Sequence, residues 1–431
     1  MGRNRVARGS LSRAACALWC LVCGCTSSAT SNQGPKAAVL TQMTPATAAD
    51  GEETFVFPEA TASPRNVAAV PSGLAPFFEQ CRLGDAALAR VAERFARRQS
   101  TGNAPLDAAE ISFALRAEGS PYVWPRAWTL EGGDLSSAPA VQRMRGWLDS
   151  WGDGGERRCG VALTTARERS VLSAVAVDAL ADLEPVPVRL RVGAWVDVNA
   201  TLLVPTSDAK VIVLGPSGAP YSVPTSFDGR QARARFHADR PGAFLIQLLA
   251  SVAGGPRPVL EATVYADIPP PTAFFGDTAP GEPSRPLPDG ADPAEALFSM
   301  VNHARATEQS PALMRDGVLD GIAQRHAEAM RQLGHIAHDA GEGDPQSRVQ
   351  DSNLSALAGE NVAHALDVTR AHRLFWASPS HRENLLQFRF DKIGIGVASD
   401  ADGSVWVCEV FADFPESTPR SPVPREQPAL R

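Results

Sequence analysis

Three side chains far apart along the chain, His338, Glu360 and His381, are of types that can act together. Two imidazoles and a carboxylate can bind a divalent cation, zinc above others, or close a buried polar network. The densest stretch is Gly359 to Leu386, GENVAHALDVTRAHRLFWASPSHRENLL. It sets Glu360 ahead of an amphipathic segment and His381 behind it, while His338 and Arg348 lie upstream. With a metal-bound water such a set would serve a hydrolase, peptidase-like, and without one a binding cleft.

Ser378, close to His381, raises a nucleophilic reading. Its place before Pro379 equally suits the N-cap of a short helix. No Gly-x-Ser-x-Gly elbow and no papain-like cysteine context accompanies it. In that helix His381 would fall in the first turn, where the dipole disfavours imidazolium and leaves the neutral ring that binds metal or accepts a proton. Glu360 has a structural reading too, as an acceptor of buried backbone hydrogen bonds or a partner of Arg348 or Arg382. Asn361 and Asn384 read as loop-fixing amides, and Trp376 as core.

The elements that must position these groups are legible. Asp292 can cap a helix, Pro293 fits its first position and Glu295 would close a capping box. A second helix over Val318–Leu333 lines up Leu319, Ile322, Ala323, His326, Ala327 and Met330 on one stripe, so His326 reads as a core histidine rather than a ligand. His335 and His338 follow in a loop. The alternating run SVWVCEVFAD is a strand with Cys408 buried and unpaired.

Taken together and in order, these pieces resemble the CAP superfamily, also called SCP-like, in its bacterial branch. The resemblance is carried by Asn302-x-x-Arg305, the LDGIAQRHAEAM helix, a His-to-Arg loop, Gly359-Glu360-Asn361, Trp376-x-Ser378-Pro379-x-His381-Arg382-x-Asn384 and Ile393-Gly394-Ile395-Gly396-Val397. It covers roughly residues 293–414 and implies an α-β-α sandwich around an antiparallel sheet. It further implies a cleft lined by two histidines and acidic residues, sometimes metal-occupied. Glu360 matches the Gly-Glu-Asn glutamate and His381 the second cleft histidine. His338 matches the first better than His335, by its distance from Met330 and from Arg348. Where many animal and plant members carry a further glutamate, Ser378 stands here. Those members are also disulfide-bonded, and this domain has only Cys408.

The rest of the chain is organised around that domain. At 431 residues it has room for two to four domains, and a net charge of −7 lacks the basic excess that nucleic-acid binding needs. Arg3, Arg5, Arg8 and Arg13 precede the apolar run Ala14–Cys23, which reads as a signal peptide over 1–25. Val22-Cys23-Gly24-Cys25 resembles a bacterial lipobox, which implies lipidation of Cys25 and a membrane anchor; plain signal-peptidase cleavage is the alternative. Residues 26–74, rich in Ala, Ser, Thr and Pro, read as a flexible tether.

Residues 75–182 read as an α+β unit, with helices over Ala86–Arg97, Leu106–Glu118 and Val141–Trp151 and a hairpin over Cys159–Asp178. Export permits a disulfide, and Cys81 with Cys159 is the natural pair. The hairpin echoes Ile395–Asp413: both runs have Gly-Val-Ala, a polar turn, Ser-Val and an apolar strand ending in Asp. The unit is therefore expected to be a degenerate copy of the C-terminal domain or a generic α+β unit, and it lacks histidines for a second site.

Residues 183–268 hold short β-prone runs between Gly-Pro turns, which predicts an immunoglobulin-like β-sandwich. Residues 269–291 are a Pro-rich linker in which Phe274 and Phe275 could dock on a neighbour, 292–415 is the CAP-like domain and 416–431 a disordered tail.

Three functions follow. One is an exported, lipid-anchored or secreted cell-envelope protein whose cleft binds a metal, ligand or protein partner. The others are a metal-assisted hydrolase using the same cleft and a structural adhesin with a vestigial one. Fold resemblance does not choose among them.

Overall fold

The structure is a computed structural model that describes residues 54–414, apart from 63–66, 104–105, 107, 133, 151–153, 167, 254, 275, 277, 285–286, 289 and 353–356. The leader, Cys25, the tail over 416–431 and Phe275 lie outside the described residues.

The first unit runs α1 (Ala75–Phe78), β1 (Leu83–Gly84), α2 (Ala86–Ser100), α3 (Ala108–Ala117), β2 (Arg126–Glu131), α4 (Ala138–Asp149), β3 (Glu156–Ala166) and β4 (Arg169–Ala179). Asp85 caps α2 by accepting from the Leu88 N–H at 2.9 Å, and the stripe Leu88, Val91, Ala92 and Phe95 is buried as its spacing predicts. Helix α4 begins at Ala138, three residues before the expected Val141, because Pro139 is preset for a first turn. Strand β2, a single run between two helices, had no sequence signal strong enough to predict it.

Cys81 and Cys159 are joined by a disulfide, with Cα atoms 5.8 Å apart and a sequence separation of 78. Closing so long a loop restricts the unfolded chain. Replacing both cysteines by Ala is therefore expected to cost roughly 2–5 kcal/mol, read as a lower urea midpoint; an unchanged midpoint would contradict it.

The middle unit comprises β5 (Ala181–Leu183), β6 (Arg189–Leu190), β7 (Trp195–Leu202), β8 (Asp208–Leu214), β9 (Tyr221–Val223), β10 (Thr225–Phe227), β11 (Gln231–His237), β12 (Gly242–Val252) and β13 (Gly255–Ala266). They form two sheets, β10-β11-β7-β5 and β6-β13-β12-β8-β9. Val196, Val198 and Phe236 of the first share one core with Val211, Val213, Phe244 and Ile246 of the second. Along β7 exposed and buried residues alternate, the signature of a strand with one face on a core. The unit begins before the expected residue 183, since β5 already pairs with β7.

The segment expected to be a flexible tether is docked in part, and the linker docks through Phe274 as expected. Part of the tether expected over 26–74 is packed: Phe55 and Phe57 are buried, each edge-on to Phe113 at 5.0 and 6.0 Å, and Thr61 N–H donates to the Val186 carbonyl at 2.8 Å. Its averaged composition hid two alternating aromatics. The Pro-rich linker also packs. Phe274 meets Phe113 at 5.4 Å, the Pro280 carbonyl bonds His372 Nε2 at 2.9 Å, and Glu282 pairs with Arg373.

The C-terminal unit runs α5 (Pro293–Thr307), β14 (Met314–Arg315), α6 (Gly317–Leu333), α7 (Pro345–Asp351), β15 (Leu357–Ala365), α8 (Val368–Ala377), α9 (Pro379–Leu386), β16 (Lys392–Ser399) and β17 (Val405–Asp413). Asp292 caps α5 through the Ala294 N–H, but Glu295 pairs with Arg315 instead of closing a capping box. The sheet order is β14-β16-β17-β15, with β14 parallel to β16 and the other pairs antiparallel. Helix α6 covers one face over Trp406, Cys408 and Val410; Val407 and Phe411 share the other with α5 and α8 residues.

The first unit's sheet, β1-β3-β4-β2, has the same order and pairing directions. The Gly84–Cys159 pair occupies the place of Arg315–Ile393, so Gly160 corresponds to Gly394 and the Gly-Val-Ala echo is two residues out of register. The slip keeps the face because side chains alternate. Followed across the hairpins, the register puts Ala127 where Glu360 stands, and counting from the capping aspartates puts Phe95 where His326 stands.

Candidate functional site

The site forms at β15, an edge strand of the C-terminal sheet. Alternation sends Glu360 toward α6 and sends Gly359 and Asn361 toward α9. A Cβ on Gly359 would lie 2.7 Å from the Phe390 ring and 3.1 Å from Asn384 Oδ1, so only a hydrogen fits there. Asn384 donates to the Glu360 carbonyl at 3.1 Å and to Asn361 Oδ1 at 3.0 Å, tying α9 to the strand. Both amides thus fix backbone, as their residue type suggests.

Glu360 is buried, its carboxylate only 1 % exposed. His338 Nδ1 approaches Oε1 at 2.8 Å, Arg348 pairs with Oε2, and the Cys408 thiol points at Oε2 from 3.4 Å. His326 Nε2 lies 3.7 Å from Oε1. Burial alone would raise the carboxyl; the hydrogen bond and charge of His338, then Arg348 and His326, outweigh it and hold Glu360 below the usual carboxylate range. Arg348 also donates to the His338 carbonyl at 2.9 Å, fixing the loop that carries the imidazole. Arg382 does not reach this carboxylate: it stacks on Trp376 at 3.6 Å and pairs with Glu308. Among the described residues the partners of the Glu360 carboxylate are side chains rather than backbone N–H groups.

His335 is exposed, whereas His338 is the loop histidine that meets Glu360. His326 is fully buried and satisfied, with Nδ1 2.9 Å from Glu342 and Nε2 2.9 Å from the Ala337 carbonyl. Its contacts with Glu360 and Glu342, and that of Cys408 with Glu360, escape sequence reasoning. Helical spacing gives a residue's face but not what a distant loop brings to it.

His381 lies in the first turn of α9, its Nδ1 shut from solvent without a hydrogen-bond partner. Burial first, and the neighbouring His338 second, depress its pKa to about 3, so it is neutral near pH 7. Asn361 Nδ2 bridges the His381 carbonyl at 3.2 Å and Glu409 Oε2 at 3.0 Å.

Glu409 is fully buried, and desolvation pushes it up to about 8. Its charged form is disfavoured by folding, so stability should fall as pH rises from the usual carboxyl value near 4.5 to about 8. His381 acts oppositely, losing stability as pH falls from 6.5 toward 3. Glu409→Gln should remove the alkaline loss, stabilising the protein at pH 8 by on the order of a few kcal/mol. Urea titrations at pH 5 and pH 8 check it; equal effects at both would contradict the assignment.

Ser378 stands at the N-cap of α9 but makes no capping hydrogen bond. Its hydroxyl faces Gln247 Nε2 at 3.3 Å and Ser380 at 3.4 Å, with no histidine bonded to it among the described residues. Gln247 Oε1 accepts from the Ser380 N–H at 3.0 Å and thereby caps the helix from the neighbouring β-sandwich. Lys210 and Ser222 reach Glu383 on the same helix at 3.0 and 3.1 Å, and a Cβ on Gly255 would sit 3.2 Å from His338 Cβ. The sandwich therefore abuts both imidazole-bearing segments.

The Asn302-x-x-Arg305 motif is structural. Asn302 exchanges hydrogen bonds with Leu313, and buried Arg305 binds the carbonyls of Pro311, Leu385 and Gln387.

The expected ligand set is His338, Glu360 and His381. Among the described residues no three His, Cys, Asp or Glu side chains converge as a metal-holding group. Both Glu360 oxygens are engaged, one by His338 and the other by Arg348, whose cation opposes a second one nearby. Glu360 thus stands behind His338 as a carboxylate that orients the imidazole.

A profile described as CAP, the cysteine-rich secretory protein family, matches residues 298–410. No curated protein matches the chain. Among solved structures the chain is similar to an outer surface protein from Borrelia burgdorferi, at 23% identity over 30% of this chain and 97% of that one, with a TM-score of 0.28. It is similar also to an extracellular protein containing a SCP domain from Bacillus anthracis, at 17% identity over 62% of this chain and 90% of that one, TM-score 0.26. A cysteine-rich secretory protein from Staphylococcus aureus gives 13% identity over 53% and 85%, TM-score 0.25.

Proposed function

Residues 298–410 form a CAP domain, and from that premise we propose that the chain is an exported, lipid-anchored envelope protein whose CAP domain binds its ligand through His338 and His381. The observation that carries this reading is the engagement of Glu360. A carboxylate paired with Arg348 and bonded to His338 Nδ1 is spent on holding an imidazole, not on activating a nucleophile. The hydrolase reading is weakened further at Ser378, whose hydroxyl partners are Gln247 and Ser380.

Two imidazoles, with His381 held neutral by its burial, select a divalent cation or a ligand that donates hydrogen bonds to nitrogen. A cation held by two side chains keeps open positions for solvent or a second ligand, and binds more weakly than in a closed four-ligand site. The leader and Cys25 supply the anchor in this reading. Residues 75–182, with the same strand order but Ala127 and Phe95 in the site positions, serve as a degenerate copy without a cleft of this type. The sandwich, of immunoglobulin-like type, braces α9.

Zinc titration of the full exported chain by calorimetry tests the reading. Saturable binding is expected, lost in His338→Ala and in His381→Ala, and weakened about 10–100-fold in Glu360→Gln. No binding by the wild type, or equal binding by the alanine variants, refutes it.

A further inference from the structure

The β-sandwich carries a second concave site, remote in chemistry from the imidazoles. A cleft of about 590 Å³ opens between the 215–219 turn, β9 and the end of β11, with Trp195, Tyr221 and His237 among its walls and Phe236 and Phe244 among its lining. That volume falls within the range of small-molecule sites. Trp195 is 60% exposed and Tyr221 41% exposed, and both stand on one cleft rather than scattered singly over the surface. Neither is needed for the core, where Phe236 and Phe244 pack together at 5.9 Å.

The charges of the cleft are balanced. Arg240 makes a two-pronged pair with Asp239, at 3.0 and 2.8 Å, and donates to Ser217 at 3.1 Å. Arg235 pairs with Asp197 at 3.0 Å while lying 5.5 Å from the Trp195 ring. An anionic ligand would have to break one of these pairs, so nothing here favours net charge. What remains is the exposed part of two aromatics, with the Trp195 ring 5.2 Å from that of His237, beside an edge that both donates and accepts hydrogen bonds. A neutral saccharide has that character: an apolar C–H face to lie on an indole, and adjacent hydroxyls each able to donate and accept.

We propose that this cleft is a carbohydrate-binding site for a neutral glycan, with Trp195 and Tyr221 as stacking surfaces and the Asp239–Arg240 pair with Ser217 as hydroxyl contacts. It is independent of the reading of the CAP cleft.

The test is calorimetric titration of the full chain with neutral β-1,4-linked trisaccharides of glucose and of N-acetylglucosamine, up to about 10 mM to capture millimolar affinity. Saturable binding of at least one is expected, weakened by about tenfold or more in Trp195→Ala and in Tyr221→Ala. Both side chains are exposed, so the variants should keep the wild-type melting temperature, which separates lost contact from lost fold. Absence of binding to either trisaccharide overturns the proposal. Unchanged affinity in both variants does so as well, as does a Pro-rich peptide that binds through Trp195 where the sugars fail.

Discussion

Arg348→Ala is expected to cost about 3–5 kcal/mol of folding stability, because it strands a carboxylate that is buried on every side. Glu360 has no water to fall back on, and the thiol of Cys408 is a weak donor. The same substitution frees the His338 and Gly343 carbonyls, which Arg348 holds at 2.9 and 2.5 Å, so the histidine loop should loosen as the core weakens. Removing both members of the pair tells the two effects apart. Arg348→Met combined with Glu360→Gln should recover much of the loss, since neither buried charge remains. Urea unfolding of Arg348→Met, Glu360→Gln and the double variant gives the coupling. A double variant as unstable as the sum of the singles would show that the two charges do not depend on each other.

Gly394→Ala should be comparably severe for a different reason. A Cβ there would lie 2.0 Å from the Leu319 carbonyl carbon and 2.4 Å from Asp320 N. Those are backbone atoms of α6, so no rotamer change relieves the clash and the helix must lift from the sheet. Lifting it opens the packing of Leu319, Ile322 and Ala323 on Cys408 and Val410. The expected loss is about 3 kcal/mol or more, at the upper end of overpacking. Gly160→Ala, whose Cβ would fall 1.9 Å from Ala89 N, should do the same in the first unit. Gly146→Ala in α4 meets nothing within 4 Å and should instead stabilise by roughly 0.5–1 kcal/mol, which controls for the change of residue. Thermal melts of the three variants rank them; a tolerated Gly394→Ala would mean that α6 does not sit this close.

The kinds of element and the roster of chemical groups were legible in the order of residues alone. Apolar spacing gave α2 and α6 with their buried faces, and alternation gave the strands of the sandwich and the burial of Cys408. Compartment and count singled out Cys81 with Cys159, and the ordered motifs singled out His338 over His335. These are local patterns, with periods of 3.6 and 2 residues, or arithmetic on a few residues. The partners were set by long-range packing. It put Arg348 rather than Arg382 on Glu360, turned His326 from a core filler into a neighbour of the same carboxylate, and gave the cap of α9 to Gln247 from another unit rather than to Ser378. Each of these contacts joins segments whose separation along the chain carries no signal. It is fixed by how closely helix α6 lies on Gly394, and by which loop the sandwich presses against the edge of the sheet.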